Sequence, residues 1–107
     1  MAEKSEIELP NIIRFDWDKG NLSKSKLKHK VEPLESEQVF QNNPIYLYDS
    51  SHSQKEDRYF AYGATDQGRM LTVVFVLRND KIRIISARDQ SKKERRFYEK
   101  AKADTQI

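Results

Sequence analysis

The sequence predicts an α+β fold: an antiparallel β-sheet packed by two N-terminal helices and a C-terminal helix, in the order β-α-α-β-β-β-β-α. Three observations carry this. Four runs of apolar, β-branched and aromatic residues, at 45–49, 58–65, 69–78 and 81–88, are separated by loops or turns of polar residues. Two stretches with helical signals precede them, and Ser91 and Glu94 spell an S-x-x-E capping box that opens a last helix.

Taken in order, residues 1–11 are polar, acidic and closed by Pro10, which reads as a loose leader. Ile13, Phe15 and Trp17 alternate with Arg14 and Asp16, the period-2 pattern of a short half-buried strand. Asp18 then caps a helix over 19–30, docked through a narrow stripe of Leu22 and Leu27 with its lysines outward. Pro33 suits a first helical turn, and Leu34, Val39 and Phe40 mark a second short helix that Asn42, Asn43 and Pro44 end. The strand runs then form an antiparallel meander. Asp66, Gln67 and Gly68 turn the chain between the second and third runs, and Asn79 and Asp80 between the third and fourth. In the fourth run Ile82, Ile84 and Ser86 point one way and Arg83, Ile85 and Ala87 the other. The closing helix spans 92–103, with Phe97 and Ala101 as its buried stripe, and 103–107 is a frayed tail.

At 107 residues and 12.7 kDa the whole chain, 1–107, is one domain. With 36% hydrophobic and 35% charged residues its core is small, and most side chains face water or a charged partner. The longest apolar run, 71–77 broken by Thr72, is far short of the roughly 18 residues of a spanning helix, and no apolar signal segment follows the N-terminus. This predicts a cytoplasmic protein without membrane contact. The absence of cysteine excludes disulfides, thiolate catalysis and Cys-based zinc sites. Two histidines leave little for any metal, and no cofactor is implied.

The net charge of +3 is unevenly spread. Residues 69–102 carry eleven Lys/Arg against four acids, whereas 1–68 carry nine against twelve. Lys19, Lys24, Lys26, Lys28 and Lys30 form a second basic cluster without an intervening acid. Two such surfaces that converge make a phosphate-binding face; left apart, they are solvated surfaces that resist aggregation. No Gly-rich phosphate loop, H-x-x-x-H pattern, acidic metal cluster or G-x-S-x-G elbow occurs, which removes most enzyme templates.

What remains is a set of cations around the strands and the last helix: Arg58, Arg69, Arg83 and Arg88, then Lys92, Lys93, Arg95 and Arg96. Free N–H groups at a helix start and bidentate arginines together describe an RNA-backbone site. Lys28, Arg58, Arg83, Lys92, Lys93 and Arg95 are the candidate RNA-binding residues. Tyr59, Phe60, Tyr62 and Tyr98 lie nearby and are candidates to stack on unpaired bases, although aromatic residues in strands ordinarily build the core. Arg83 also has Asp80 and Asp89 as ion-pair partners in sequence, and Arg69 reads equally as a protective charge at a strand edge. His52 lies in a polar loop with nothing organised around it. His29 ends the lysine-rich helix.

The chain resembles the BrnT family of bacterial type II toxins, which have a RelE-like fold. The resemblance covers about 13–100 and rests on Phe15-Asp16-Trp17-Asp18, Lys28-His29 with Val31, Val39-Phe40, Gly68-Arg69 and Val73-Val74-Phe75. It continues through Ile82-Arg83-Ile84-Ile85-Ser86-Ala87-Arg88 and Lys93-Glu94-Arg95-Arg96 with Tyr98-Glu99. Where the family often has K-H-G-V, this chain has Lys28-His29-Lys30-Val31, so its first helix lacks the glycine cap that would orient His29. The resemblance implies an mRNA endonuclease, ribosome-associated or free, that inhibits translation. It also implies neutralisation by a BrnA-type antitoxin whose ribbon-helix-helix domain makes any operator DNA contact. RelE-like toxins cut RNA without metal, and by position Arg69 and Tyr98 look like the arginine and tyrosine of that site, with Arg88 beside them.

Metal-independent RNA cleavage needs the 2′-OH deprotonated, the phosphorane charge stabilised and the leaving 5′-oxygen protonated. Arg69 and Arg88 are the candidate stabilisers, since arginine stays charged and forks onto two phosphate oxygens. His29 is the first candidate base, because its surrounding lysines favour the neutral imidazole. Tyr98 or Glu94 would serve only if cationic neighbours lowered their pKa values. The alternative is a binding module without chemistry, whose basic face docks an antitoxin or nucleic acid. Ile45, Leu47 and Tyr48 offer a strand patch for the antitoxin unless the two early helices cover it.

Overall fold

A computed structural model describes residues 4–6 and 13–104 of the chain. Its elements are β1 (Lys4–Glu6), α1 (Lys24–His29), α2 (Pro33–Gln41), β2 (Ile45–Asp49), a 3₁₀ turn (Ser50–His52), β3 (Arg58–Ala64), β4 (Met70–Arg78), β5 (Lys81–Asp89) and α3 (Lys92–Asp104). The mixed α+β class is as expected, with four long antiparallel strands in a meander and three helices. The first strand is not the expected one: three residues of the stretch read as a leader, Lys4–Glu6, pair antiparallel with β2 and extend the sheet to β1-β2-β3-β4-β5. The rest of 1–11 lies outside the described residues, as do 105–107; α3 reaches one residue past the expected helix end, to Asp104.

The turns follow from their residues. Asn79 (φ 52°) and Asp80 (φ 63°) both take the left-handed region, the two-residue geometry that matches strand twist. Between β3 and β4 the tight return uses Gly68 at φ +87°, with the Thr65 N–H donating to the Arg69 carbonyl at 2.9 Å.

Ile13, Phe15 and Trp17 do pack against the core, but they make no strand. Phe15 forms one parallel bridge with Ile82, and Ile82 exchanges backbone hydrogen bonds with Arg14 and Asp16 at 2.7 and 2.8 Å. The segment is a cover for the open edge of β5. Asn21 Nδ2 donates to the Ile84 carbonyl at 3.0 Å, and the Ala87 N–H donates to Ser25 Oγ at 2.8 Å, so side chains satisfy the edge where pairing stops.

This polar docking replaces the leucine stripe. Residues 19–23 form a turn rather than helix, and Leu27 is 83% exposed, with Leu22 exposed as well; Asn21, Ser25 and Val31 are the buried residues. Asp18 caps the turn, accepting the Gly20 N–H at 2.8 Å, while the helix itself starts at Lys24, after Ser23. Lys30 takes the left-handed conformation (φ 57°, ψ 37°) where the family pattern has glycine, so α1 ends as a glycine-capped helix would. In α2, Glu32 and Glu35 form a capping box, Val39 and Phe40 are buried and Leu34 is exposed.

The sheet carries a core on each face. On the face of α1 and α2 are Val31, Val39, Phe40, Ala61, Val73, Phe75, Ile82, Ile84 and Ala87. A register shift at Val74/Phe75, which pair with Ser86 and Ile84, leaves Ile85 as a bulge and brings Ala87 onto the same face as Ile84. Strict alternation along this strand therefore fails beyond Ile84. On the other face Leu47, Tyr62 and Tyr98 form a smaller cluster joined by Ile45, Phe60 and Met70. Tyr98 is 7% exposed and Phe97 45% exposed, the reverse of the expected stripe on α3. Leu47 is fully buried in this cluster, beside α3 rather than under the early helices, so it offers no contact patch.

Candidate active site

Arg69 ties together three elements at the turn end of the β3–β4 hairpin. Its Nε donates to Asp89 Oδ1 at 2.7 Å and its Nη2 to Asp89 Oδ2 at 3.3 Å, a bidentate pair with the last residue of β5. Nη1 donates to the Lys30 carbonyl at 2.9 Å and to Glu35 of α2 at 3.2 and 3.3 Å, and Nη2 reaches the His29 carbonyl at 3.3 Å. The hydrogen bonds that Arg69 donates to Asp89 and Glu35 raise its already high pKa, and the bond to Asp89 holds that carboxyl low despite partial burial. Arg95 and His29 lower Asp89 further, so both lie within electrostatic reach of this point. His29, Lys30, Glu35, Arg69, Asp89 and Arg95 are thus gathered from three helices and two strand ends.

Arg88 belongs to a different cluster. Leu71 pairs with Asp89 and Thr72 with Arg88, and adjacent strand residues point to opposite faces, so Arg69 and Arg88 flank the sheet rather than share a pocket. Arg88 grips Glu94 of α3 at 2.7 and 2.9 Å. Glu94 also accepts from Thr72 Oγ1 at 3.0 Å and from the Ser91 N–H at 2.9 Å, while the Glu94 N–H returns to Ser91 Oγ at 3.2 Å. The capping box is therefore formed, and it doubles as the clamp of α3 onto the sheet. Burial pushes the Glu94 carboxyl up, but Arg88, the Ser91 N–H and Thr72 outweigh it and bring it to about 2. A carboxylate held so low is a poor proton acceptor at neutral pH. Burial raises the Tyr98 hydroxyl, the wrong direction for a base.

The RNA-binding candidates also divide. Lys28, Lys92, Lys93 and Arg95 are exposed; the last three open α3, directly after Asp89 and Gln90. Arg83 lies about 20 Å from Asp89 along β5, given the rise of a strand, and forks onto Asp18 at 2.9 and 2.9 Å with Asp16 at 3.7 Å. Neither Asp80 nor Asp89 is its partner. Arg58 begins β3 and its N–H donates to Ser53 Oγ at 2.9 Å; with Arg83 it lowers the nearby Glu56 carboxyl, whose main partner is Arg78. Tyr62 is buried, and Tyr59 stacks on Phe75 with centroids 5.5 Å apart, so both build the core.

His52 is more organised than its loop suggests. Its Nδ1 lies 2.8 Å from Oδ2 of the buried Asp49, which also accepts from the Ser51 N–H and hydroxyl. Sequence reasoning missed Asp49, and it missed Glu35 and Asp89 as partners of Arg69; a separation of 34 residues between Glu35 and Arg69 leaves no local signal. Among the described residues no three His, Asp or Glu side chains are grouped to hold a metal ion, and no helix is long and apolar enough to cross a membrane.

Comparison with known proteins adds one finding. The family model described as "Ribonuclease toxin, BrnT, of type II toxin-antitoxin system" matches residues 17–94, which includes α1, α2, the four long strands and the start of α3. No curated protein matches the chain. The matched span holds every residue of the Arg69 and Arg88 clusters except Arg95 and Tyr98, and with most of its length inside the family's pattern the chain belongs to the BrnT family of ribonuclease toxins.

Proposed function

We propose that this chain is a metal-independent endoribonuclease with a RelE-like fold that cuts mRNA, inhibits translation and is neutralised by a BrnA-type antitoxin carrying a ribbon-helix-helix domain. Membership of the family implies a type II toxin with ribonuclease activity and an antitoxin partner. The observation that carries the finer reading is the convergence on Arg69 of an imidazole-bearing helix end, a carboxylate and the basic start of α3. Arg69 stabilises the charge that develops on the phosphorane. His29 or Glu35 takes the 2′-OH proton as the 2′-oxygen bonds to phosphorus, and the bond from phosphorus to the 5′-oxygen breaks as that oxygen takes a proton from the conjugate acid or from water, leaving a 2′,3′-cyclic phosphate and a 5′-hydroxyl. Lys28, Lys92, Lys93 and Arg95 track the RNA backbone toward this point. Arg88, Glu94 and Tyr98 support α3 from the other face and act on the site through its position.

The test separates the two arginines. Growth is followed after induction of the parent chain, Arg69→Ala and Arg88→Lys, with RNA 5′ ends mapped in each culture and cleavage repeated in vitro with EDTA. Arrest and new mRNA cuts with the parent and Arg88→Lys but not with Arg69→Ala, and products ending in 2′,3′-cyclic phosphate, are expected. Products with 5′-phosphate and 3′-hydroxyl ends, or loss of cutting in EDTA, would contradict the mechanism. Undiminished antitoxin binding by Arg69→Ala is expected as well; equal loss of binding and toxicity would favour the binding-module alternative.

A further inference from the structure

We propose that Asp89 occupies the seat that a substrate phosphodiester takes on Arg69, so that the free protein carries an internal competitor for its own phosphate site. The inference rests on the ribonuclease reading and deepens it. Arg69 has two sets of partners, and they differ in mobility. Nη1 and one hydrogen of Nη2 are spent on the Lys30 and His29 carbonyls, which end α1 and cannot leave without undoing that end. Glu35 is held in turn by the Glu32 N–H at 3.0 Å and is 27% exposed. The Nε/Nη2 edge, the one that forks onto two oxygens, is held by Asp89 alone.

Asp89 is the partner that can leave. Its side chain is 61% exposed, it ends an edge strand, and its carboxylate has no hydrogen bond to any other described residue. A carboxylate and a phosphate present two oxygens to a guanidinium in the same planar fork, so one substitutes for the other without moving Arg69. The surroundings suit the larger charge. Arg95 and His29 act on this point, and Lys92 and Lys93 follow within one turn of the chain. RNA binding then costs the Arg69–Asp89 pair, and the swung-out aspartate repels the backbone that displaced it.

The experiment uses a fluorescein-labelled 2′-O-methyl oligoribonucleotide, which cannot be cleaved, in anisotropy titrations at fixed ionic strength against the parent, Asp89→Asn, and Glu99→Gln as a control for net charge on exposed α3. Asp89→Asn is expected to tighten binding roughly three- to fivefold beyond the control, the scale of an exposed ion pair. In an Arg69→Lys background, which keeps the charge but not the fork, the gain should fall to that of Glu99→Gln. Asp89→Asn retains an oxygen for Nε, so its comparison with the parent stands even where Arg69→Lys loosens the fold. Binding by Asp89→Asn equal to the control or weaker than the parent, a gain that survives Arg69→Lys, or no binding by any variant would each overturn the proposal. RNA cleavage by the parent is measured beside these titrations. Cleavage without the Asp89–Arg69 coupling removes this inference alone, whereas coupling without cleavage removes the ribonuclease reading.

Discussion

Replacing Glu94 with glutamine tests the clamp of α3 in a way that its charge makes quantitative. The carboxylate is 12% exposed and accepts four hydrogen bonds, two from Arg88, one from Thr72 and one from the Ser91 N–H. Its pKa falls from 4.5 to about 2 on folding, because Arg88 and the other donors outweigh the effect of burial. At 1.36 kcal/mol per unit, the ionised group contributes about 3 kcal/mol of stability. Since the folded value is the lower one, that contribution is fully present above pH 4.5 and is lost as the pH falls toward 2. About 2 kcal/mol of it disappears between pH 7 and pH 3. Urea unfolding followed by Trp17 fluorescence, at both pH values, should show the parent losing about 2 kcal/mol more than Glu94→Gln over this interval. The exposed carboxylates Asp18, Glu56 and Asp89 are common to both proteins and cancel in the difference. Identical losses for the two proteins would refute the assignment of Glu94 as an ionised anchor.

Two further predictions concern the backbone. Lys30→Gly should raise the urea midpoint, because Lys30 holds a left-handed conformation that costs a side-chain-bearing residue about 1 kcal/mol; a lower midpoint would mean that the Lys30 side chain itself supports the fold. Gly63→Ala should destabilise by about 1–3 kcal/mol, since a Cβ there would lie 2.8 Å from Val39 Cγ1 and 3.0 Å from Pro44 Cβ, where α2 closes on β3. A thermal melt of Gly63→Ala equal to that of the parent would show that the contact relaxes freely.

The long strands, their turns and the box at Ser91 and Glu94 were readable because each depends on residues a few positions apart. Asn79-Asp80 and Gly68 accept positive φ, Pro33 begins a helix, and serine with glutamate three residues later caps one. Parity and partnership were less accessible. One bulged residue, Ile85, moves Ala87 to the opposite face, and nothing in an isoleucine announces a bulge. The segment at Ile13–Trp17 alternates like a strand because it does bury one side, yet it reaches only one bridge before Asp18 turns the chain away. The apolar side chains of α1 misled for a related reason. A six-residue helix and the turn before it, seated by Ser25 and Asn21 on the edge of β5, need polar groups where that edge has unpaired N–H and carbonyl groups, so Leu27 of the helix and Leu22 of the turn are left in water.

The same division runs through the candidate site. Composition and order alone determined that the chain is a small α+β domain with its positive charge segregated, and that arginine, lysine and histidine are its chemical resources. They also singled out Arg69, Arg88 and His29 as residues of interest. Only the tertiary structure decided that Arg69 and Arg88 flank the sheet on opposite sides, that Glu94 is spent on holding α3, and that Glu35 and Asp89 hold separate edges of the guanidinium that also reaches the His29 carbonyl. The physical reason is range. Turns, caps and helix starts are set by interactions within one turn of the chain, whereas an ion pair between residues 20 or 34 positions apart exists only once strand register and helix packing have brought its two ends together.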